Sequence, residues 1–343
     1  TAVSSHSSHS SRAADADANA NTTKKTTTTT SSSSATATAD HTDRFGFFSS
    51  SSHAGTAAGT APASARKGHR RAKKWLAMLS DWPRYANAPK LKARCRKGVP
   101  DELRATVWMK LSGAHQLMRQ HDTDCYRKLL DVKEAPWEDS ILLDVDRTFP
   151  RHAVYAEVGG EGQRKLFRVL RAYSLFDPDL GYCQGLAFVV GFLCTYLLEE
   201  DCFWLLVAIM HRDRKYALTT LYAEGMPQIR IALSTLDVLL EKVCPRLSRC
   251  LGKLGIASHM YATSWFMSLF TSNLPFSLTV RIWDMFLCEG WKVLYRIALG
   301  LLCSFDKTIK YDRSLDFACM LRKMQAGLPA LLKDESADTI VNA

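Results

Sequence analysis

Apolar residues recur every three or four positions along most of this chain, which is the spacing of one face of an α-helix. In the segment QRKLFRVLRAYSLF, Leu166, Val169 and Tyr173 share one face while arginine and lysine side chains occupy another. The segment TVRIWDMFLCEGWKVLYRIALGLL repeats this pattern, with a break expected near Gly290. Because no stretch alternates apolar and polar residues at period two, we predict an all-α fold.

Composition divides the chain into a tail and a folded domain. Residues 1–65 are rich in Ser, Thr and Ala, as in TTTTTSSSSATATA, and hold too few apolar side chains to offset the entropy cost of ordering. We therefore predict a disordered tail there. Dense Leu, Phe, Trp and Tyr over residues 73–332 predict the folded domain, and residues 333–343 are expected to form a short polar C-terminal tail.

The positive charge of the chain is concentrated in one segment. The net charge is +11, and residues 66–97 hold twelve Lys and Arg against Asp81 alone. We predict that this basic segment leads into the folded domain as a solvated surface, with weak contact to anionic membranes as a second role. No aromatic-interleaved groove or nucleic-acid motif accompanies it, so no nucleic-acid partner is expected.

The longest apolar run, LAFVVGFLCTYLL at residues 186–198, is shorter than the roughly 18 residues of a membrane-spanning helix, and acidic residues follow it at once. We interpret it as a buried helix. The amino terminus lacks the pattern of a secretory signal. We therefore expect a cytoplasmic protein. The basic segment would allow a peripheral position on organelle membranes.

The chain has ten cysteines, scattered mostly inside apolar runs and without a C-x-x-C pair. This distribution favours reduced thiols in the core over a disulfide framework. Histidines outside the tail, such as His211 and His259, show no ligand spacing with Cys or Asp, so no structural metal is expected.

Asp144 and Arg147 lie three residues apart in ILLDVDRTF, so they lie on neighbouring positions of a predicted helix surface. Pro150 disfavours the α conformation at Phe149, which predicts that the helix ends close to Arg147. The Arg147 guanidinium would then lie at a free helix end, steadied by the Asp144 carboxylate. Taken alone, such an arginine is more commonly a surface ion-pair partner than a functional group.

A second stretch, FDPDLGYCQG, contains the turn formers Pro178 and Gly181 ahead of an apolar helix expected to begin near Leu186. Gln184 is therefore predicted to project from the start of a rigid, buried helix. Taken alone, a glutamine in this position more commonly makes a hydrogen bond at the helix start.

Five segments of the chain match motifs in a fixed order. RKGVP at residues 96–100, followed by Arg104 and Trp108, fits R-x-G-I-P…R-x-x-x-W, with Val99 in place of isoleucine. ILLDVDRT fits I-x-x-D-x-x-R, YCQG fits Y-x-Q-G, and WFMSLFTSNLPF and RIWDMFLCEG complete the series. Over roughly residues 73–332 these segments resemble the TBC family of GTPase-activating proteins for Rab GTPases. Five motifs in order are far more specific than any one of them.

The resemblance implies a multi-helix TBC-type domain in two helical subdomains, which accelerates GTP hydrolysis by a Rab-family GTPase in its GTP-bound state. In that family an arginine finger and a glutamine finger act in trans, and the matching residues here are Arg147 and Gln184. Asp144, Tyr182 and Gly185 would support them. GTP and Mg²⁺ would be carried by the partner Rab, so no cofactor is expected for this chain itself.

The opening motif of this resemblance is expected to serve packing and a structural ion-pair network rather than chemistry. Its residues are Arg96, Gly98, Pro100, Arg104 and Trp108.

Two other functions remain open. A TBC fold can hold a Rab without accelerating it, as a non-catalytic scaffold, although a scaffold has no need of both fingers. A cysteine hydrolase would use Cys183 at a helix start, with His211 or His259 as its base. No hydrolase signature surrounds Cys183.

Overall fold

A computed structural model of the chain describes residues 42–48, 62–211, 213, 215–311 and 315–334. Within these ranges the protein is helical and has no β-strand, which confirms the predicted all-α fold. Two isolated β-bridges join Thr42 to Phe48 and Phe47 to His152. The helices of the described residues are α1 Pro62–Leu79, α2 Trp82–Tyr85, α3 Pro89–Arg96, α4 Asp101–Ser112, α5 Ala114–Met118, α6 Cys125–Leu130, α7 Glu138–Arg147, α8 Glu161–Phe176, α9 Leu186–Cys194, α10 Glu199–Met210, α11 Thr219–Tyr222, α12 Pro227–Val243, α13 Pro245–Lys253, a 3₁₀ helix Ser258–Met260, α14 Thr263–Met267, α15 Phe276–Glu289, α16 Trp291–Thr308 and α17 Phe317–Asp334.

Helix boundaries follow local sequence signals. Gly290, at φ +76°, separates α15 from α16 as predicted, because its left-handed backbone continues neither helix. Proline occupies the first position of α3, α12 and α13, where its missing N–H costs no hydrogen bond. The end of α7 at Arg147 agrees with the prediction from Pro150, since Thr148 is extended and Phe149 has φ +49°.

The hydrophobic core surrounds α9, which is the helix predicted from the longest apolar run. Its residues are almost all buried, and α7, α8 and α10 pack against it. The acidic residues after the run open α10 at Glu199. Residues at the start of α9 are therefore carried by a rigid support. None of the described helices has the length and apolarity needed to span a membrane.

All described residues lie in one compact unit, and the division of this unit into two helical subdomains stays a prediction. The basic segment, residues 66–97, contributes to α1, α2 and α3 of this unit. Trp75 and Met78 of α1 pack with Leu91 and Cys95 of α3 in a small second hydrophobic cluster. Most basic side chains of the segment are exposed, as expected for a solvated surface.

The predicted disordered tail, residues 1–65, lies largely outside the described residues. In two places the prediction is wrong, because residues 42–48 form a closed turn against the domain and residues 62–65 belong to α1. Composition did not reveal the turn because its phenylalanine side chains are stabilised by residues distant in sequence. The predicted C-terminal tail, residues 333–343, begins inside α17 and otherwise lies outside the described residues.

The prediction of reduced cysteines is wrong for one pair. Cys244, between α12 and α13, forms a disulfide with Cys303 of α16, with 6.2 Å between their Cα atoms. The two residues are 59 positions apart, and the packing of α12 against α16 brings them together. The other eight cysteines are free thiols.

Candidate functional site

Arg147 is the last residue of α7, and its side chain is 50% exposed. Its Nη2 donates a hydrogen bond to Oδ1 of Asp144, whose side chain is nearly buried one turn earlier. The other guanidinium N–H groups make no hydrogen bond within the described residues. Nη2 of Arg147 is therefore held by Asp144, and the remaining N–H groups can donate hydrogen bonds to a partner molecule.

A buried tyrosine binds the other oxygen of Asp144. The Tyr182 hydroxyl donates to Asp144 Oδ2 at 2.5 Å, across 38 residues of sequence. Burial, followed by the hydrogen bond to Asp144, raises the pKa of Tyr182 far above its ordinary value, so the hydroxyl stays a neutral donor. Asp144 thereby joins the end of α7 to the loop that precedes α9.

That loop, residues 181–185, is shaped by two glycines. Gly181 has φ +62°, and a Cβ there would lie 2.2 Å from Nε1 of Trp137 at the start of α7. Gly185 has φ +98° and is the residue immediately before α9. Between them, Gln184 is exposed, and its amide makes no hydrogen bond within the described residues. The alternative role of Gln184 as a hydrogen bonder at its own helix start is therefore not observed.

Arg147 and Gln184 thus present a cation and a neutral amide from two segments that are linked through Asp144 and Tyr182. A guanidinium offers a planar set of donors to phosphate or carboxylate oxygens. A glutamine amide can donate to one group while it accepts from another, such as a water molecule. The pair is suited to binding an anionic group and a water on another molecule.

A cavity of about 680 Å³ opens beside Arg147. Five phenylalanine side chains line it, and two of them, Phe45 and Phe47, belong to a part of the chain that sequence analysis assigned to the tail. Among the lining residues are Asp43, Phe45, Phe47, Arg147, Phe149, Phe188, Pro275 and Phe276.

The opening motif joins the start of the domain to α15. Asp284 of α15 is fully buried and accepts hydrogen bonds from Val99 N, Arg104 Nε and Trp108 Nε1 at 2.8, 3.1 and 2.9 Å. Burial raises the pKa of Asp284, and the charge of Arg104 opposes that effect. Arg104 also pairs with Asp101 on α4. These contacts anchor α4 on α15.

The remaining residues of the motif extend this anchor. Arg96 binds Glu289 at the end of α15 through two parallel hydrogen bonds, Nε to Oε1 at 2.7 Å and Nη2 to Oε2 at 2.6 Å. Gly98 has φ +89°, and a Cβ there would lie 2.8 Å from the Arg281 side chain. Pro100 is the residue immediately before α4. The motif therefore makes the packing and ion-pair contacts expected from its sequence.

Cys183 lies in the loop before α9 but is poorly suited to nucleophilic chemistry. Burial, followed by the negative charge of Asp144, raises the pKa of its thiol, which disfavours the reactive thiolate. No hydrogen bond joins it to a histidine in the described part of the chain. The cysteine-hydrolase alternative therefore has no support from the geometry of this loop.

Sequence reasoning missed three features around these sites. The buried ion pair of Asp284 could have been predicted, because an acidic residue inside the apolar segment RIWDMFLCEG indicates a buried, paired charge. The turn at residues 42–48 had a weaker signal, since Asp43 and Gly46 are turn formers flanked by aromatic residues. Trp137 had none, because its importance comes from contact with Gly181, which lies far away in sequence.

The fold and the site define an all-helical domain in which one buried carboxylate binds an exposed arginine and a tyrosine that lies two residues before an exposed glutamine. The sequence profile of the Rab-GTPase-TBC domain matches residues 101–310, more than half of the chain. The chain belongs to the Rab-GTPase-TBC domain family. The matched range contains Arg147, Gln184 and Asp284, whereas Arg96 and Gly98 precede it.

Individual relatives agree with this assignment. The chain is 38% identical to human TBC1 domain family member 10B over 267 residues, which cover 76% of this chain and 32% of that protein. It is 33% identical to Rab GTPase-activating protein tbc-11 of Caenorhabditis elegans over 265 residues, which cover 77% of this chain and 28% of that protein. This chain therefore spans about a third or less of the length of these two relatives.

Among solved structures, the fold is similar to that of the TBC domain of a Chlamydomonas flagellar RabGAP. The TM-score is 0.66 and the identity is 28%, and the match covers 80% of this chain and 92% of that one.

Proposed function

We propose that this protein accelerates GTP hydrolysis by a Rab-family small GTPase, to which it supplies Arg147 and Gln184 in trans. The observation that carries this proposal is the shared carboxylate of Asp144. It binds the Arg147 guanidinium on one oxygen and Tyr182, two residues from Gln184, on the other. A single buried group therefore joins the end of α7, which carries Arg147, to the loop that carries Gln184, and this link favours joint action on one target.

The role of Arg147 follows from the chemistry of phosphoryl transfer. A small GTPase hydrolyses GTP slowly by itself, because the charge on the transferring phosphoryl group is poorly stabilised. An arginine from a partner places a fixed cationic donor set against the phosphate oxygens. Arg147 has the required exposure, and most of its donors are unused within the described residues.

Gln184 would correct the second weakness, the poor placement of the attacking water. Its amide can accept a hydrogen bond from that water and donate another to the GTPase, in place of the GTPase's own glutamine. The rigid α9 begins two residues after Gln184 and supports the backbone that carries this amide. The Rab would bring GTP and Mg²⁺, and neither Arg147 nor Gln184 would form a covalent bond.

The names of two similar proteins support the substrate class. The C. elegans relative is named a Rab GTPase-activating protein, and the solved Chlamydomonas domain is named a RabGAP TBC domain. For the present chain, a panel of GTP-loaded Rab proteins with measured phosphate release is the direct test. Acceleration of at least one member supports the proposal. Binding to a GTP-loaded Rab without acceleration would instead indicate the scaffold function.

The charge of the basic segment supports a second proposal, a weak contact with anionic membranes. The protein would then be cytoplasmic and peripheral on organelle membranes. Arg70, Arg71, Lys73 and Lys74 are exposed on α1. Lysine and arginine near an anionic surface contribute attraction that salt screens. Co-sedimentation with phosphatidylserine vesicles should rise with lipid charge and fall with salt concentration. Binding that depends on neither lipid charge nor salt would contradict the proposal.

A further inference from the structure

The turn at residues 42–48 has a defined structure of its own. Oδ1 of Asp43 accepts hydrogen bonds from the backbone N–H groups of Phe45 and Phe47, at 2.8 and 3.0 Å. The Asp43 carbonyl accepts a further one from Gly46, whose φ of +92° reverses the chain. The turn is therefore closed by its own groups and presents its aromatic side chains in a fixed arrangement.

The turn binds the segment that directly follows Arg147. The Ala153 N–H donates to the Gly46 carbonyl at 2.7 Å, and the Phe48 N–H donates to the Arg151 carbonyl at 3.0 Å. These two hydrogen bonds attach the turn to the backbone within six residues of the candidate finger. The attachment is made of backbone groups, so it does not depend on long, flexible side chains.

Aromatic packing adds to this attachment. The Phe47 ring meets His152 edge to face with 4.7 Å between centroids, and it meets Phe149 edge to face at 6.3 Å. His152 is only 3% exposed beneath the turn, and burial lowers its pKa, which favours the neutral ring. A Cβ on Gly46 would lie 3.0 Å from the His152 ring, so glycine also permits the close approach.

The segment after Arg147 is held on its other side by α9. The Phe149 ring packs edge to face on Phe188 at 5.6 Å. Thr148 packs closely on α9 at Gly191, because a Cβ on Gly191 would lie 2.8 Å from Thr148 Cγ2. Phe149 has φ +49°, a conformation that costs a non-glycine residue about 1 kcal/mol or more and persists only when its surroundings impose it.

We propose that Phe47 and the 42–48 turn are positioning elements for Arg147. Phe149 lies between Phe188 of α9 and Phe47 of the turn, and this clamp imposes the strained backbone that ends α7 at the arginine. Without Phe47, Phe149 loses one of its three aromatic neighbours, and Tyr155 and Phe188 remain. This inference rests on the proposed function, because the group being positioned is the candidate arginine finger.

The test compares Phe47→Ala with Phe48→Ala in the full chain. Phe48 belongs to the same turn, but its ring makes no aromatic contact within the described residues, which makes it a matched control. With a GTP-loaded Rab that responds to the parent protein, Phe47→Ala should lower kcat about tenfold to a hundredfold, because displacement of a catalytic group by about 1 Å has effects of this size. KM should change little, and Phe48→Ala should match the parent.

Rescue separates positioning from general destabilisation. Phe47→Tyr keeps the ring and should restore most of kcat, whereas Phe47→Leu keeps apolar bulk without the ring and should not. A Phe47→Ala variant with parental kcat, or one whose defect lies only in KM, would overturn the inference. If the melting temperature of Phe47→Ala is well below that of the parent, the kcat of Phe47→Leu is used instead. A parental kcat in Phe47→Leu would likewise overturn the inference.

A measurement without any GTPase distinguishes this inference from the proposed function. Hydrogen exchange at the Ala153 amide should be faster in Phe47→Ala than in Phe48→Ala, because the Gly46 contact that protects it is weakened. Faster exchange together with a parent protein inactive on every Rab would refute the proposed function alone. Equal exchange and equal kcat in the two variants, with an active parent, would refute the positioning role alone.

Discussion

Tyr182 donates a hydrogen bond of 2.5 Å to Asp144, on the carboxylate oxygen that Arg147 does not use. The end of α7 and the loop before α9 therefore depend on one buried acceptor. Changes that disturb this acceptor should affect Arg147 and Gln184 together, even when neither finger is altered.

Tyr182→Phe should lower the free energy of unfolding by about 1–3 kcal/mol, because it leaves one oxygen of a buried carboxylate without its donor. It should also lower kcat for GTP hydrolysis on a responsive Rab. Denaturant unfolding and phosphate release measure the two effects. Tyr261→Phe is the matched control, since Tyr261 is equally exposed at 8% and its hydroxyl makes no hydrogen bond within the described residues. Equal losses in both variants would contradict a special role for the Asp144 contact.

Arg147→Ala should reduce activity on a responsive Rab by roughly 10³- to 10⁵-fold, the contribution of arginine fingers in comparable systems. Arg147→Lys should also be poor, because a point charge on a flexible stem lacks the planar donor set. Phosphate release under single turnover measures both. Arg84→Ala is the control, because Arg84 is exposed and pairs with Asp81 three residues earlier, as Arg147 does with Asp144. Activity of Arg147→Ala near that of Arg84→Ala would show that Arg147 is not the arginine finger.

Gln184→Ala should lose activity by a separate route, through a misplaced water, while its melting temperature stays at the parental value. The side chain is exposed and makes no hydrogen bond within the described residues, so its loss removes nothing from the fold. Binding to a Rab in the presence of GDP and aluminium fluoride should weaken more than binding to the GDP form. Unchanged turnover in Gln184→Ala would show that the target relies on its own glutamine.

Gly181→Ala should destabilise the protein more than Gly159→Ala, although both glycines have positive φ. The φ values are +62° and +67°, so each substitution carries a similar backbone cost of about 1–2 kcal/mol. At Gly181 the new Cβ would also lie 2.2 Å from Trp137, while nothing lies within 4 Å at Gly159. Thermal unfolding of the two variants measures the difference, and a similar shift in both would show that the Trp137 contact relaxes without cost.

Arg104→Ala should lower the free energy of unfolding by about 3–5 kcal/mol, because it leaves the buried Asp284 carboxylate without its cation. Asp101→Asn removes the half-exposed partner of the same arginine and should cost less than about 1 kcal/mol. Chemical denaturation of both variants checks the contrast. Comparable costs would indicate that Arg104 stabilises the fold through its exposed pair instead.

Local features of this protein could be predicted from the sequence because they involve residues close together in the chain. The helical fold follows from apolar periodicity, and the break at Gly290 follows from the conformational freedom of glycine. The end of α7 at Arg147 follows from Pro150, and the Asp144–Arg147 pair follows from their spacing on one helix. In each case the interaction spans at most one helical turn, so no knowledge of packing is required.

The contacts that assemble the site were decided by tertiary structure alone. Tyr182 reaches Asp144 across 38 residues, and Asp284 receives Arg104 across 180. The disulfide of Cys244 and the attachment of residues 42–48 beside Arg147 depend in the same way on which helices pack together. Sequence spacing identifies residues that can donate, accept or pack, but the partner of each is chosen by the packing of elements distant in the chain. The physical reason is that burial and close approach are properties of the assembled core, which no local pattern encodes.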